Sequence, residues 1–184
     1  MAPEAAGGRV RIAPAKINLA LHVTGRRPDG YHALDTLAVF ASEGDRLAVG
    51  PAGDRLALTV EGPFSALAPA GEDNLVIRAA RSLAAALGRP AEAAIRLEKN
   101  LPAGAGFGGG SADAAAALLA LNDLWAAALP GEELAALALG LGADVPMCLA
   151  GRALRARGVG ERLAALGSWP ALPVVLVWPG RTVA

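Results

Sequence analysis

Residues 101–113, which read Leu-Pro-Ala-Gly-Ala-Gly-Phe-Gly-Gly-Gly-Ser-Ala-Asp, have the composition of a loop that binds phosphate. Five glycines occur in the seven positions from 104 to 110, and glycine lets backbone adopt positive φ angles and approach a ligand closely. Ser111 is a predicted N-cap of the Ala/Leu-rich helix that follows. The free amides of that helix's first turn, at the positive end of its dipole, would face the loop. We therefore expect a phosphate site here; a tightly packed turn without a ligand is the alternative.

Two familiar glycine-loop templates fit this stretch poorly. Gly104-x-Gly106-x-x-Gly109 matches the dinucleotide fingerprint, but that template needs an acid at the end of the next strand, and Asp123 falls within the predicted helix. The P-loop template needs a lysine directly after the glycines, and this sequence has none there. The glycine loop therefore predicts a phosphate site that follows neither of these two templates.

Four further positions carry polar groups that could do chemistry. Lys16 lies in a predicted short loop between two strands, and Asn18 follows it. Asp144 is the only charged residue between Glu133 and Arg152. The pair Tyr31-His32 follows the turn residues 26–30. Each has an ordinary alternative: a surface lysine, a strand amide, a helix cap or plain turn residues.

The composition narrows the class of protein. The 184 residues suffice for one domain, or for one domain and a fragment of another. Lys and Arg together number 17, and so do Asp and Glu together. The charges balance, so the protein lacks the positive field that would attract nucleic acid or an anionic membrane. The single cysteine excludes an internal disulfide framework. No apolar stretch reaches the ~18 residues of a membrane helix. We expect a soluble cytoplasmic protein that binds neither nucleic acid nor membrane.

The hydrophobic pattern predicts a first third that is mostly sheet, followed by helices and strands in turn. Asp73-Asn74 is expected to cap a helix that stops at Gly88 and Pro90, and the helix from Ser111 to about Ala128 is apolar nearly all round and should be central. A short helix is expected over 132–139. The predicted strands are 9–12, 18–23, 34–40, 45–49 and 55–60 (the last two paired around residues 50–53), then 93–98, 152–157, 161–166 and 173–178.

Six motifs in this order resemble those of the GHMP small-molecule kinases, and the collinear match runs from about Pro14 to Gly180. They are residues 14–19 (Pro-Ala-Lys-Ile-Asn-Leu), 27–32 (Arg-Pro-Asp-Gly-Tyr-His), 72–75 (Glu-Asp-Asn-Leu), 99–102 (Lys-Asn-Leu-Pro), 108–115 (Gly-Gly-Gly-Ser-Ala-Asp-Ala-Ala) and 141–146 (Leu-Gly-Ala-Asp-Val-Pro). The resemblance implies an α+β fold of the ribosomal protein S5 domain 2-like type, a mixed sheet with helices packed on one side. It also implies an ATP-binding and catalytic domain over residues 1–170, with residues 171–184 beginning a further C-terminal domain.

The resemblance implies a reaction and a set of site residues as well. ATP, with Mg²⁺, would phosphorylate a hydroxyl of the methylerythritol part of a cytidine diphosphate ester, a step towards isoprenoids outside the mevalonate route. Lys16 and Asp144 would be catalytic, and Ser111 would meet the Mg²⁺ on the phosphates. Asn18, Tyr31 and His32 would bind the small-molecule substrate. The residues implied in ATP binding are Asn74, Lys99, Pro102, Ala103, Gly104, Ala105, Gly106, Phe107, Gly108, Gly109, Gly110, Ser111 and Ala112.

Two departures keep other functions open. Ala112 stands where many relatives carry a second serine, so one potential phosphate donor is missing. The later glycine-rich motif of the family's C-terminal domain does not occur in this sequence. A GHMP kinase for mevalonate or homoserine, a remnant that only binds nucleotide, and a dinucleotide-dependent oxidoreductase are the alternatives. The oligomeric state is not predicted.

Overall fold

The computed structural model describes residues 9–26, 28, 30 and 32–181, which form a mixed sheet of six strands and four α-helices. Two short 3₁₀ turns precede the first helix, at Ser65–Leu67 and Gly71–Asp73. The strands are β1 (Arg9–Arg26), β2 (His32–Gly50), β3 (Leu56–Glu61), β4 (Ala93–Glu98), β5 (Leu154–Gly158) and β6 (Arg162–Ala165). The helices are α1 (Leu75–Ala86), α2 (Gly109–Leu124), α3 (Gly131–Leu141) and α4 (Val145–Ala150).

The long strand β2 organises the sheet. Along one edge it pairs antiparallel with β1 over most of its length. Along the other edge its residues 46–50 pair with β4 and its residues 34–38 pair with β5. β3 joins β4 in parallel and β6 joins β5 antiparallel. The predicted pairing of 45–49 with 55–60 is wrong, because β4 lies between these strands and the crossover through α1 makes β3 and β4 parallel neighbours.

The predicted strands 9–12 and 18–23 are one strand, and so are 34–40 and 45–49. The pairing of β1 with β2 shifts register between Pro14 and Lys16, because residues 41–43 of β2 bulge opposite Ala15, and β1 itself has no loop there. Gly44 lies opposite Pro14, where a Cβ would fall 2.2 Å from the Ala13 carbonyl oxygen. Only glycine fits so close to β1. Lys16 therefore lies within β1, immediately after the register shift, and not in a loop.

Helix α2 is the centre of the core, as its apolar sequence predicts. It packs against β1, β2, α1 and α4, and most of its side chains between Ala112 and Leu121 are buried. Its bounds differ from the prediction. The helix begins at Gly109, with Gly108 at the N-cap in the left-handed conformation (φ 67°), and it ends at Leu124. Ser111 lies in the first turn and does not cap the helix.

The predicted strand at 173–178 is wrong, since these residues pair with no strand in the described part of the chain. They run as irregular backbone with Val175 85% exposed, because apolar composition alone cannot supply a strand edge to pair with. Trp178 is anchored edge-on against Phe64, with ring centroids 5.8 Å apart. The domain boundary at residue 170 stays a prediction. Within the described residues, the helices are all too short or too polar to cross a membrane.

Candidate active site

Lys16 and Asp144 form an ion pair against the glycine loop. The Lys16 ammonium lies 3.1 Å from Oδ2 of Asp144, and it donates to Oδ1 of Asn18 at 3.0 Å. The lysine side chain is only 5% exposed, whereas that of Asp144 is 41% exposed. Asp144 occupies the N-cap position of α4, but its carboxylate makes no capping hydrogen bond. The aspartate is thus held by a buried cation while one side of it stays open to a ligand.

Lys16 follows the register shift between β1 and β2 and contacts the loop. The Lys16 backbone N–H donates to the Phe107 carbonyl oxygen at 2.8 Å. A Cβ on Gly108 would lie 3.2 Å from both Cβ and Cε of Lys16. The loop itself contains three left-handed glycines, with φ angles of 70° at Gly104, 82° at Gly106 and 67° at Gly108. These conformations need glycine, because a Cβ there is sterically unfavourable.

The loop residues differ in how accessible they are. Gly104, Gly106 and Gly110 are exposed, and Ala103, Ala105, Phe107, Gly108 and Ser111 are half-buried. Pro102, Gly109 and Ala112 are buried and lie on the core side. The accessible surface of the loop is therefore mostly backbone and the Ser111 hydroxyl, which can offer hydrogen-bond donors to an anion.

A second ionic group lies beneath the loop and was missed by the sequence analysis. The buried Lys99 ammonium donates to Oδ2 of Asp45 and, at 2.7 Å, to Oδ2 of Asp113. Asp45 is completely buried and Asp113 is 3% exposed. Lys99 therefore lies behind the loop and not on its surface. The available signal was Asp113 itself, because a charge on a helix that is apolar all round must find a partner.

The charges of this cluster shift its pKa values. Burial lowers the pKa of Lys99, but the charges and hydrogen bonds of Asp113 and Asp45 outweigh it, so that pKa is raised overall. Burial also raises the pKa of Asp113 to about 7, with the Lys99 charge opposing the shift and the Asp45 charge adding to it. Among the described residues, Oδ1 of Asp113 has no hydrogen-bond partner. Burial therefore disfavours the charged form of the Asp113 carboxylate.

The remaining predicted site residues lie at different places. Asn74 is buried and caps α1 by accepting from the Val76 N–H at 2.9 Å, so its side chain is already engaged. Asn18 is exposed beside Lys16. His32 is exposed at the far end of β2, eight residues from Phe40, the partner of Lys16. Eight residues of strand span about 26 Å, so the structure does not bring His32 next to Lys16. Tyr31 lies outside the described residues.

Three further observations bear on the chemistry available at this site. Cys148 in α4 is buried, and burial together with the nearby Asp144 charge raises its pKa to about 12, so it is not a nucleophile at neutral pH. Within the described residues, no three His, Cys, Asp or Glu side chains come together as a metal site. A cavity of about 610 Å³ between β2, residues 151–153 and the C-terminal segment does not include Lys16 or Asp144.

Comparison with known proteins agrees with this geometry. The family described as "GHMP kinases N terminal domain" matches residues 74–152, a range that includes the glycine loop, α2 and Asp144. A crystal structure of a homoserine kinase from Cytophaga hutchinsonii, 21% identical, covers 87% of this chain with a TM-score of 0.65 and shares the fold. Residues 74–152 thus match the N-terminal domain family of the GHMP kinases, and the predicted α+β fold with its mixed sheet is confirmed.

Within that class, the similarity is to one enzyme in particular. The 4-diphosphocytidyl-2-C-methyl-D-erythritol kinase of Brucella melitensis is 55% identical over 95% of this chain, and that of Paramagnetospirillum magneticum is 56% identical over 91%. A crystal structure of 4-(cytidine 5'-diphospho)-2C-methyl-D-erythritol kinase, 48% identical, covers 90% of the chain with a TM-score of 0.70. The chain spans about 60% of the length of these curated relatives, and 56% of that crystal structure.

Proposed function

We propose that this protein transfers the γ-phosphoryl group of ATP to a hydroxyl of 4-diphosphocytidyl-2-C-methyl-D-erythritol. The observation that carries the proposal is the Lys16–Asp144 pair, with its ammonium 3.1 Å from the carboxylate and its backbone hydrogen-bonded to the glycine loop. A base and a cation beside a phosphate-binding loop are what phosphoryl transfer to an alcohol requires. The substrate is inferred from the names of relatives 55% and 56% identical to this chain.

Asp144 is proposed as the group that accepts the proton of the substrate hydroxyl. Its carboxylate is free of capping bonds and 41% exposed, so a hydroxyl can approach it. The Lys16 ammonium pairs with that carboxylate at 3.1 Å. The Lys16 side chain lies against Gly108 of the loop, so its ammonium would offset the negative charge that develops during transfer.

The glycine loop and the first turn of α2 are proposed to hold the phosphates of ATP. The donors would be backbone amides of residues 103–111 and the Ser111 hydroxyl. Mg²⁺ fits this arrangement without a protein cage, since it is commonly bound by nucleotide phosphates, water and one or two protein oxygens, and Ser111 is the proposed protein ligand. When bound, the ion would neutralise phosphate charge.

Asn18, Tyr31 and His32 are proposed to bind the cytidine substrate. Asn18 is exposed and accepts from the Lys16 ammonium at 3.0 Å, so it would be near a substrate hydroxyl bound at Asp144. His32 lies at the exposed end of the β1–β2 hairpin, where it would meet a distant part of an extended substrate. A reaction that consumes ATP also suits a cytoplasmic location.

The test is turnover with defined substrates. The 184-residue chain, and the same chain joined to the remaining C-terminal part of the Brucella melitensis relative, are incubated with ATP, Mg²⁺ and the cytidine substrate. ADP release is followed continuously and the phosphorylated product is identified by ³¹P NMR. Homoserine and mevalonate serve as competing acceptors. Turnover with either of these, and none with the cytidine substrate, would contradict the proposed specificity.

Asp144→Asn tests the proposed base. We expect kcat to fall by about 10²-fold or more with little change in ATP affinity, because general-base assistance is typically worth that much. Glu133→Gln, an exposed acid on α3, is the control and should leave kcat unchanged. An Asp144→Asn variant with near-normal kcat would remove Asp144 from the chemistry.

A further inference from the structure

The glycine loop begins and ends at the same buried ionic cluster. At its start, Oδ1 of Asp45 accepts the backbone N–H groups of Asn100 at 2.5 Å and Leu101 at 2.8 Å. At its end, Asp113 in the first half of α2 accepts from the Lys99 ammonium at 2.7 Å. Lys99 joins the two carboxylates. The chain thus leaves the cluster at residues 99–101 and returns to it at residue 113.

We propose that Asp45, Lys99 and Asp113 are positioning residues for phosphate binding, which fix both ends of the glycine loop in the absence of ligand. This inference rests on the proposed nucleotide-binding function of the loop. A glycine-rich segment loses much conformational entropy when it is ordered. Fixing its two ends in advance reduces the part of that cost that falls on ligand binding.

The cluster lies directly under the amides that would face a phosphate. A Cβ on Gly109, the first residue of α2, would lie 3.4 Å from the Lys99 ammonium and 3.5 Å from Oδ2 of Asp45. Both groups therefore lie on the core side of the first turn of α2.

The role of the cluster in fixing the loop ends is tested by hydrogen exchange without nucleotide. Asp113→Ala removes the tie to α2 but leaves the Lys99–Asp45 pair balanced, so the chain should still fold. We expect amides of residues 102–112 to exchange at least tenfold faster, while those of α3 are unchanged. The matched control is Asp123→Ala on the same helix, where the carboxylate is 43% exposed and pairs with Arg11. Unchanged exchange in residues 102–112 would overturn that role.

The effect on phosphate binding is tested by calorimetry with a non-hydrolysable ATP analogue and Mg²⁺ at one neutral pH. We expect Asp113→Ala to weaken binding by about tenfold, because the cost of ordering the loop then falls on the ligand. Asp113→Asn, whose amide oxygen can still accept from the Lys99 ammonium, should recover most of the affinity. Asp123→Ala should bind as the wild type does.

The outcomes separate the two levels of inference. Unchanged nucleotide affinity in Asp113→Ala would overturn the role of the cluster in phosphate binding. Absence of nucleotide binding by the wild type would overturn the proposed function of the loop, and with it the phosphate role of the cluster. Hydrogen exchange needs no nucleotide, so in either case it shows whether the cluster fixes the two ends of the glycine loop.

Discussion

Two lysine–aspartate groups contact the glycine loop at neighbouring residues, and they differ in access to solvent. The ammonium of Lys99 meets Gly109 from below and is shared by two buried carboxylates. The side chain of Lys16 meets Gly108 and pairs with Asp144, which is 41% exposed. A carboxylate that must accept a proton from a substrate has to be reachable, whereas one that fixes a backbone has to be excluded from water. The same two residue types therefore suit different tasks in the two places.

The difference in burial predicts a large difference in stability on removing each lysine. Lys99→Met leaves Asp45 and Asp113 buried without their cation, which should cost about 3–5 kcal/mol of unfolding free energy. Lys16→Met leaves Asp144 in contact with water and should cost about 1 kcal/mol or less. Urea unfolding followed by circular dichroism measures both. Equal losses would show that the two groups do not differ as their burial indicates.

The buried group should also make stability depend on pH. Burial raises the pKa of Asp113 to about 7 in the folded protein, from an ordinary value near 3.8. The folded state then holds this proton more tightly than the unfolded state. The contribution of Asp113 to stability is therefore largest below about pH 4, falls as pH rises towards 7, and is lost above it.

Asp113→Asn should remove this dependence. We expect the melting temperature of the variant, relative to the wild type, to increase steadily between pH 5 and pH 8. Asp123→Asn, at the exposed end of α2, should show no such trend. A difference between Asp113→Asn and the wild type that is the same at every pH would mean that Asp113 is ionised throughout this range.

Gly108 and Gly109, which lie next to the two lysines, should differ in how well they tolerate a side chain. Gly108 has φ 67°, and a Cβ would press on Lys16 at 3.2 Å, so Gly108→Ala should destabilise by about 1 kcal/mol or more. Gly109 is helical and its Cβ would meet ordinary contacts at 3.4–3.6 Å. Gly109→Ala should therefore be close to neutral. Thermal unfolding of both variants decides this, and a larger loss at Gly109 would contradict it.

Much of the local structure could be predicted from the sequence, because local signals were strong. Asn74 was predicted to cap α1 and does so. The apolar run after Ser111 was predicted as the central helix, and α2 is buried there. Pro14 misled the prediction, since it suggested a loop where β1 continues as a strand. Ser111 was predicted as the N-cap because serine is a good cap, but left-handed Gly108 takes that position.

The sequence by itself determined the phosphate-loop composition, the central helix, and Lys16 and Asp144 as polar residues among apolar ones. Only the tertiary structure decided that these two lie 3.1 Å apart, because β1 and the start of α4 converge from positions far apart in sequence. It also decided the neighbours of Lys99. Asp45 is 54 residues away and Asp113 is 14. Periodicity reports which face of an element is buried, but it carries no information about which charges of distant elements share that interior.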